Sequence, residues 1–144
     1  MNNIQSLKRV ISGTLITICL LIVGPYIQVQ AQSKPWPVPA DAKKSKNPVA
    51  ADVNALKEGK ALYGSTCTPC HGEKGKGDGP AAVALDPKPA DHTSAKMLTE
   101  TDGSLFYKIS EGRKPMPQYK AVLTERQRWE LVDYIRSLNK GIKK

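Results

Sequence analysis

Three stretches of the chain carry apolar residues at helical spacing, and nowhere do polar and apolar positions alternate with the period of two that marks a strand. From Asp52, a good N-cap, Val53, Leu56, Lys60 and Tyr63 follow one stripe with Gly59 on the same side, and this first helix runs into Cys67. Thr101 or Asp102 caps a short second helix, with Leu105, Phe106 and Ile109 as its apolar face and Gly112 as its stop. The last helix is the best marked. Thr124 and Gln127 form a capping-box pattern, Leu131, Tyr134, Ile135 and Leu138 share a face, and Gly141 ends it.

Between these stretches the chain is dominated by helix breakers. Residues 72–96 are rich in Gly, Pro, Lys and Asp and predict a loop, with one helical turn over Ala81–Leu85. Pro115 and Pro117 force a second extended loop. Residues 32–51 hold Pro35, Pro37, Pro39 and Pro48 with Lys43, Lys44 and Lys46, and predict an extended tether without regular helix. Trp36 is unusual for a pure linker; docking on the domain and exposure to solvent are both open for it. No internal repeat is present, and the 144 residues suffice for one small domain.

The N-terminus reads as an address label. Lys8 and Arg9 precede a mostly apolar run from Val10 to Val23, Gly24-Pro25 breaks it, and Val29-Gln30-Ala31 suits a signal peptidase. The expected organisation is a signal peptide over 1–31, a tether over 32–51 and a folded domain over 52–140. The apolar run falls short of the ~20 residues a membrane helix needs. Left uncleaved, residues 10–29 would anchor the chain to a membrane. Either outcome implies a periplasmic or otherwise exported protein, membrane-tethered in the second case. Cys19 lies inside the run, where it reads as an apolar filler.

Charge adds a partner class. The formal net charge is +9, and it is +7 once Lys8 and Arg9 are removed with the leader. Such a balance favours an acidic partner surface, although scattered lysines also serve solubility. Nucleic acid is a poor partner, because no basic stripe is interleaved with aromatics.

The chemistry is concentrated in Cys67-Thr68-Pro69-Cys70-His71. Two thiols separated by two residues reach the two vinyl groups of one haem and form thioethers, and the histidine that follows lies beneath the porphyrin, where its imidazole can bind iron. A redox disulfide or half a zinc site would use the same cysteine pair. Zinc would need two further ligands, yet only His71 and His92 are available as histidines and the only other cysteine is Cys19. A thioredoxin-like site would need a βαβ context, which the pattern lacks. The reading is therefore one covalent haem c, held by Cys67 and Cys70, with His71 as an iron ligand. Met116 is the first candidate for the sixth position, because Pro115 and Pro117 stiffen its loop. Met97 and His92 are the alternatives; as a core filler and a solvated loop residue, respectively, they would need no such role.

These residues resemble the class I single-haem cytochrome c family of the exported bacterial type, over about residues 52–140. Gly59 and Tyr63 before the cysteine motif resemble the family's first helix, and Leu131-Val132-Asp133-Tyr134-Ile135 its last. In the family these helices cross closely at a glycine. Gly79-Pro80 resembles the step whose proline carbonyl accepts a hydrogen bond from the ligand histidine, and Met116-Pro117 the distal ligand loop. The resemblance implies an all-α fold, a small cytochrome c domain of three or more short helices and long loops around one haem. It implies a single-electron carrier with His/Met ligation in a respiratory chain and redox proteins as partners, rather than an enzyme. A haem subunit or dedicated donor of a membrane respiratory complex is the alternative. A haem enzyme or gas sensor would require an open iron position.

Overall fold

The computed structural model describes residues 35–49 and 52–139. The expected signal peptide over 1–31, the anchor over 10–29, Cys19 and Gly141 lie outside them. Among the described residues no helix is long and apolar enough to cross a membrane.

The described chain is helical and carries no strand, as the pattern predicts. The helices are α1 (Ala40–Lys44), α2 (Val53–Thr66), α3 (Thr68–His71), α4 (Ala95–Thr99), α5 (Asp102–Glu111) and α6 (Glu125–Leu138), with a 3₁₀ turn over Ala82–Ala84. The caps follow local chemistry. Asp52 accepts from the Ala55 N–H, Thr101 accepts from the Ser104 N–H, and Thr124 and Gln127 close a reciprocal capping box. Gly112 ends α5 at φ +62°, a backbone setting that suits glycine.

The most extensive packing is between α2 and α6. Their crossing depends on Gly59: a Cβ there would lie 2.2 Å from the Glu130 carbonyl oxygen. Any side chain would push the helices apart. The core around this crossing is Tyr63, Met97, Leu105, Ile109, Trp129, Leu131, Val132 and Ile135. The buried face of α2 is Ala55, Gly59 and Tyr63, whereas Val53 is exposed, so the expected stripe is displaced at its start. The short second expected helix is α5, and its Phe106 stacks on Trp129 of α6 at 4.0 Å between ring centroids.

Two expectations for loop regions are corrected. Residues 40–44 form α1 within the stretch read as an extended tether, because Pro39 stands just before the helix, where its missing N–H is not needed. That helix is docked on α5: a Cβ on Gly103 would lie 2.1 Å from the Ala42 carbonyl oxygen, and the Thr101 hydroxyl donates to the Lys43 carbonyl at 2.9 Å. Asn47 donates to Asp133 of α6 at 2.8 Å. Trp36 is half-buried under the Arg113 guanidinium, 4.7 Å from the ring centroid. The loop reading of 72–96 holds as far as Ser94, where α4 starts.

Candidate functional site

The cysteine motif sits on a single tight turn. Cys67 ends α2, and the N–H groups of Cys70 and His71 both donate to its carbonyl, at 3.1 and 2.8 Å. One turn of backbone therefore carries both sulfurs and the imidazole. Cys67 and Cys70 are free, half-buried thiols. Burial first, and then the neighbouring Cys70, pushes the Cys67 thiol up to about 12.

His71 is presented in one tautomer. Its Nδ1 lies 3.0 Å from the Ala90 carbonyl oxygen. A carbonyl only accepts, so Nδ1 carries the proton and Nε2 keeps a free lone pair. Burial holds the ring below its usual pKa, only partly opposed by that hydrogen bond, so the neutral form is favoured. This is the state a metal-binding imidazole requires. The acceptor differs from the one implied by the resemblance. Pro80 is exposed, and its step is instead packed on the motif turn: a Cβ on Gly79 would lie 2.4 Å from the Pro69 carbonyl oxygen.

The Gly-rich loop folds back under the motif. The N–H of Gly77 donates to the His71 carbonyl at 2.8 Å and that of Gly79 to the Cys70 carbonyl at 3.1 Å. His92, which the sequence leaves open as an alternative iron ligand or a solvated loop residue, is buried, at 8% exposure. Its ring stacks on His71 with centroids 4.2 Å apart and planes 17° from parallel, and its Nδ1 lies 3.0 Å from the Tyr63 hydroxyl. Burial, then the adjacent His71, lowers its pKa to about 3. Nothing local to His92 in the sequence distinguishes it from a surface histidine.

The Met116 loop approaches from the other end of the molecule's sequence. Backbone bonds pair Arg113 with Met116 in both directions, at 3.0 and 2.9 Å. Met116, Tyr119 and Cys67 all pack, half-buried, against the same core. The Tyr119 hydroxyl donates to the Thr66 carbonyl at 3.3 Å, which ties this loop to the residue before Cys67. Burial first, then Cys67 and Cys70, pushes the Tyr119 phenol up to about 12. Met97, by contrast, is enclosed in the core at 7% exposure.

The donor set fits a covalent haem: two unpaired thiols and a ligand-ready imidazole share one turn, and a thioether stands in the loop tied to that turn. Cys67, Cys70 and His71 are the residues that would hold the group, with Met116 the thioether within the same neighbourhood.

Comparisons with known proteins point to the same class of cofactor. The family model for cytochrome c oxidase, cbb3-type, subunit III, matches residues 54–135. No curated protein matches the chain. Among solved structures, the chain is similar to one in the Kuenenia stuttgartiensis reducing HAO-like protein complex Kustc0457/Kustc0458, at 28% identity and a TM-score of 0.57. That match covers 63% of this chain and 46% of the other, so the chain spans about half the length of its structural relative. With a model that matches more than half of its residues and a shared helical fold, the chain belongs to the c-type cytochrome family of cbb3-type cytochrome c oxidase subunit III, whose domain implies haem c and electron transfer.

Proposed function

We propose that the protein is an exported single-electron carrier with one haem c, attached through Cys67 and Cys70 and ligated by His71 and Met116. The observation that carries the reading is the His71 turn, where a neutral imidazole with Nε2 free stands beside two free thiols. When bound, the haem supplies an iron that gains and loses one electron. The chain's own residues hold it and shield it: His71 keeps its proton on Nδ1 through Ala90, and the Met116 loop is braced on α2 through Tyr119 and Thr66.

Met116 is favoured over its rivals by packing. Met97 already fills the core, and its carbonyl accepts from Arg136 at 2.8 Å. His92 lies flat against His71. Two imidazoles bound to opposite faces of one porphyrin would instead point their nitrogens toward each other. Two protein ligands leave no substrate position at the iron, which suits outer-sphere transfer, and a sulfur ligand raises the potential.

Export follows from the leader read over 1–31, and redox proteins with acidic docking surfaces are the partners that a net positive chain favours. The cbb3-type family description supports the second reading, a haem subunit or dedicated donor within a membrane respiratory complex.

The test is optical. The ferric holoprotein is expected to show the weak near-infrared sulfur-to-iron band, and the ferrous protein to resist carbon monoxide at neutral pH. Met116→Ala should lose the band and bind carbon monoxide, while Met97→Ala keeps the band. A wild-type protein that binds carbon monoxide rapidly has an open iron, and the enzyme or sensor reading would replace electron carriage.

A further inference from the structure

We propose that His92, held by Tyr63, is a positioning residue that sets the rotation of the His71 imidazole; this rests on His71 being an iron ligand. A hydrogen bond from Nδ1 to the Ala90 carbonyl pins one atom of the ring. It leaves the plane free to swing about that contact. A second ring lying flat on the first removes this freedom, and His92 does so at 4.2 Å and 17°.

His92 can serve as a reference plane only if it is itself fixed, and three parts of the fold fix it. Its N–H donates to the Gly75 carbonyl at 2.6 Å, its carbonyl accepts from the Asn139 side chain at the end of α6, and its Nδ1 meets the Tyr63 hydroxyl of α2 at 3.0 Å. Tyr63 is 1% exposed and packs on Tyr134 with centroids 5.1 Å apart. The seat is tight as well: a Cβ on Gly75 would lie 3.1 Å from the His92 Cβ and 3.3 Å from the Tyr63 hydroxyl oxygen. The α2–α6 crossing thus reaches the His71 ring through Tyr63 and His92. Partner groups that orient a metal-binding histidine tune the metal in this way.

A buried histidine that merely fills space would give the same burial, so the test must read the ligand plane. In the ferric low-spin holoprotein, the plane of the axial imidazole governs how unpaired spin spreads over the porphyrin. The order of the hyperfine-shifted haem methyl resonances, together with the electron paramagnetic g-values, reports it. His92→Leu is expected to reorder the methyl resonances and shift the g-values while the near-infrared band stays. His92→Phe, which keeps a flat ring, should preserve the wild-type order. Tyr63→Phe should shift the pattern in the same direction as His92→Leu, by less. A folded His92→Leu protein with wild-type methyl order and g-values would overturn the proposal. Should that variant fail to fold, the wild-type ferrous protein decides: a nuclear Overhauser contact between the two imidazole rings is expected, and its absence overturns the proposal. His71 ring protons without the large ring-current shift of a haem ligand would instead remove the ligand reading, and the proposal with it.

Discussion

The two candidate iron ligands are held in opposite ways. His71 is tied to the central helix crossing: it follows α2 on a continuous turn, hydrogen-bonds to Ala90 and lies against His92, which α2 and α6 both hold. Met116 belongs to a peripheral loop. Its backbone pairs with Arg113, three residues away, and the loop is tied down by Tyr119 on Thr66 and by the Trp36 and Pro35 contacts of Arg113. The difference matches the chemistry asked of each. An imidazole on a covalently attached haem stays bound wherever the turn goes, whereas a thioether is a weak ligand that binds only if its loop is kept in place. The central side depends on one helix crossing, and the peripheral side depends both on α2 of that crossing, through Tyr119 and Thr66, and on the N-terminal segment, through Arg113.

The crossing offers the largest disruption of this contrast. Gly59→Val puts carbon 2.2 Å from the Glu130 carbonyl, so α2 and α6 must separate, and both sides should fail together. The expected cost is roughly 3 kcal/mol or more, at the upper end of overpacking effects, measured by denaturant unfolding of the holoprotein. Loss of Met116 ligation with an undisturbed His71 environment would show that the crossing does not serve the central side.

A smaller, one-sided effect is expected at Asn47, which separates the docking of residues 35–49 from the crossing itself. Its amide donates to the buried Asp133 carboxylate. Asn47→Ala should cost about 1–3 kcal/mol, since a buried acceptor loses its donor. Burial, its largest cause, already holds the Asp133 carboxyl above its usual range, opposed by the Asn47 bond. The folded state therefore binds this proton more readily than the unfolded chain. Its contribution is fully present below the ordinary carboxylate range and is lost as pH rises through the raised value. Asn47→Ala should steepen that loss and Asp133→Asn should flatten it, as read from unfolding midpoints across mildly acidic pH.

Trp36→Ala sharpens the comparison with the smallest effect. The half-exposed cation–π contact is worth about 0.5–1 kcal/mol. Its removal should speed carbon monoxide binding by the ferrous protein a few-fold, at about one factor of five for 1 kcal/mol, while the haem methyl pattern set by His71 stays unchanged. Equal changes on both sides would mean that the N-terminal segment braces the whole domain and not the Met116 loop.

Much of this protein was legible before its structure. Cap residues, a breaker-rich loop and helical periodicity located α2, α5 and α6, because those signals act within a few residues of one another. Cys67-x-x-Cys70-His71 made haem attachment readable for the same reason: bonding two thiols to the two vinyl groups of one haem needs a fixed local spacing. The docked helix α1 was hidden, since four prolines across 32–51 forbid a long helix but say nothing about five residues between two of them. What seats that helix is Gly103, about sixty residues away, where the missing side chain lets the Ala42 carbonyl approach. The Ala90 acceptor and the burial of His92 were equally out of reach, because a loop's long-range hydrogen bonds leave no periodic trace. The sequence alone determined which groups could hold a haem and where helices begin; tertiary packing decided which carbonyl orients His71, which ring lies against it and what braces Met116. Local spacing is written along the chain, but close approach depends on the shapes of residues that meet only after folding.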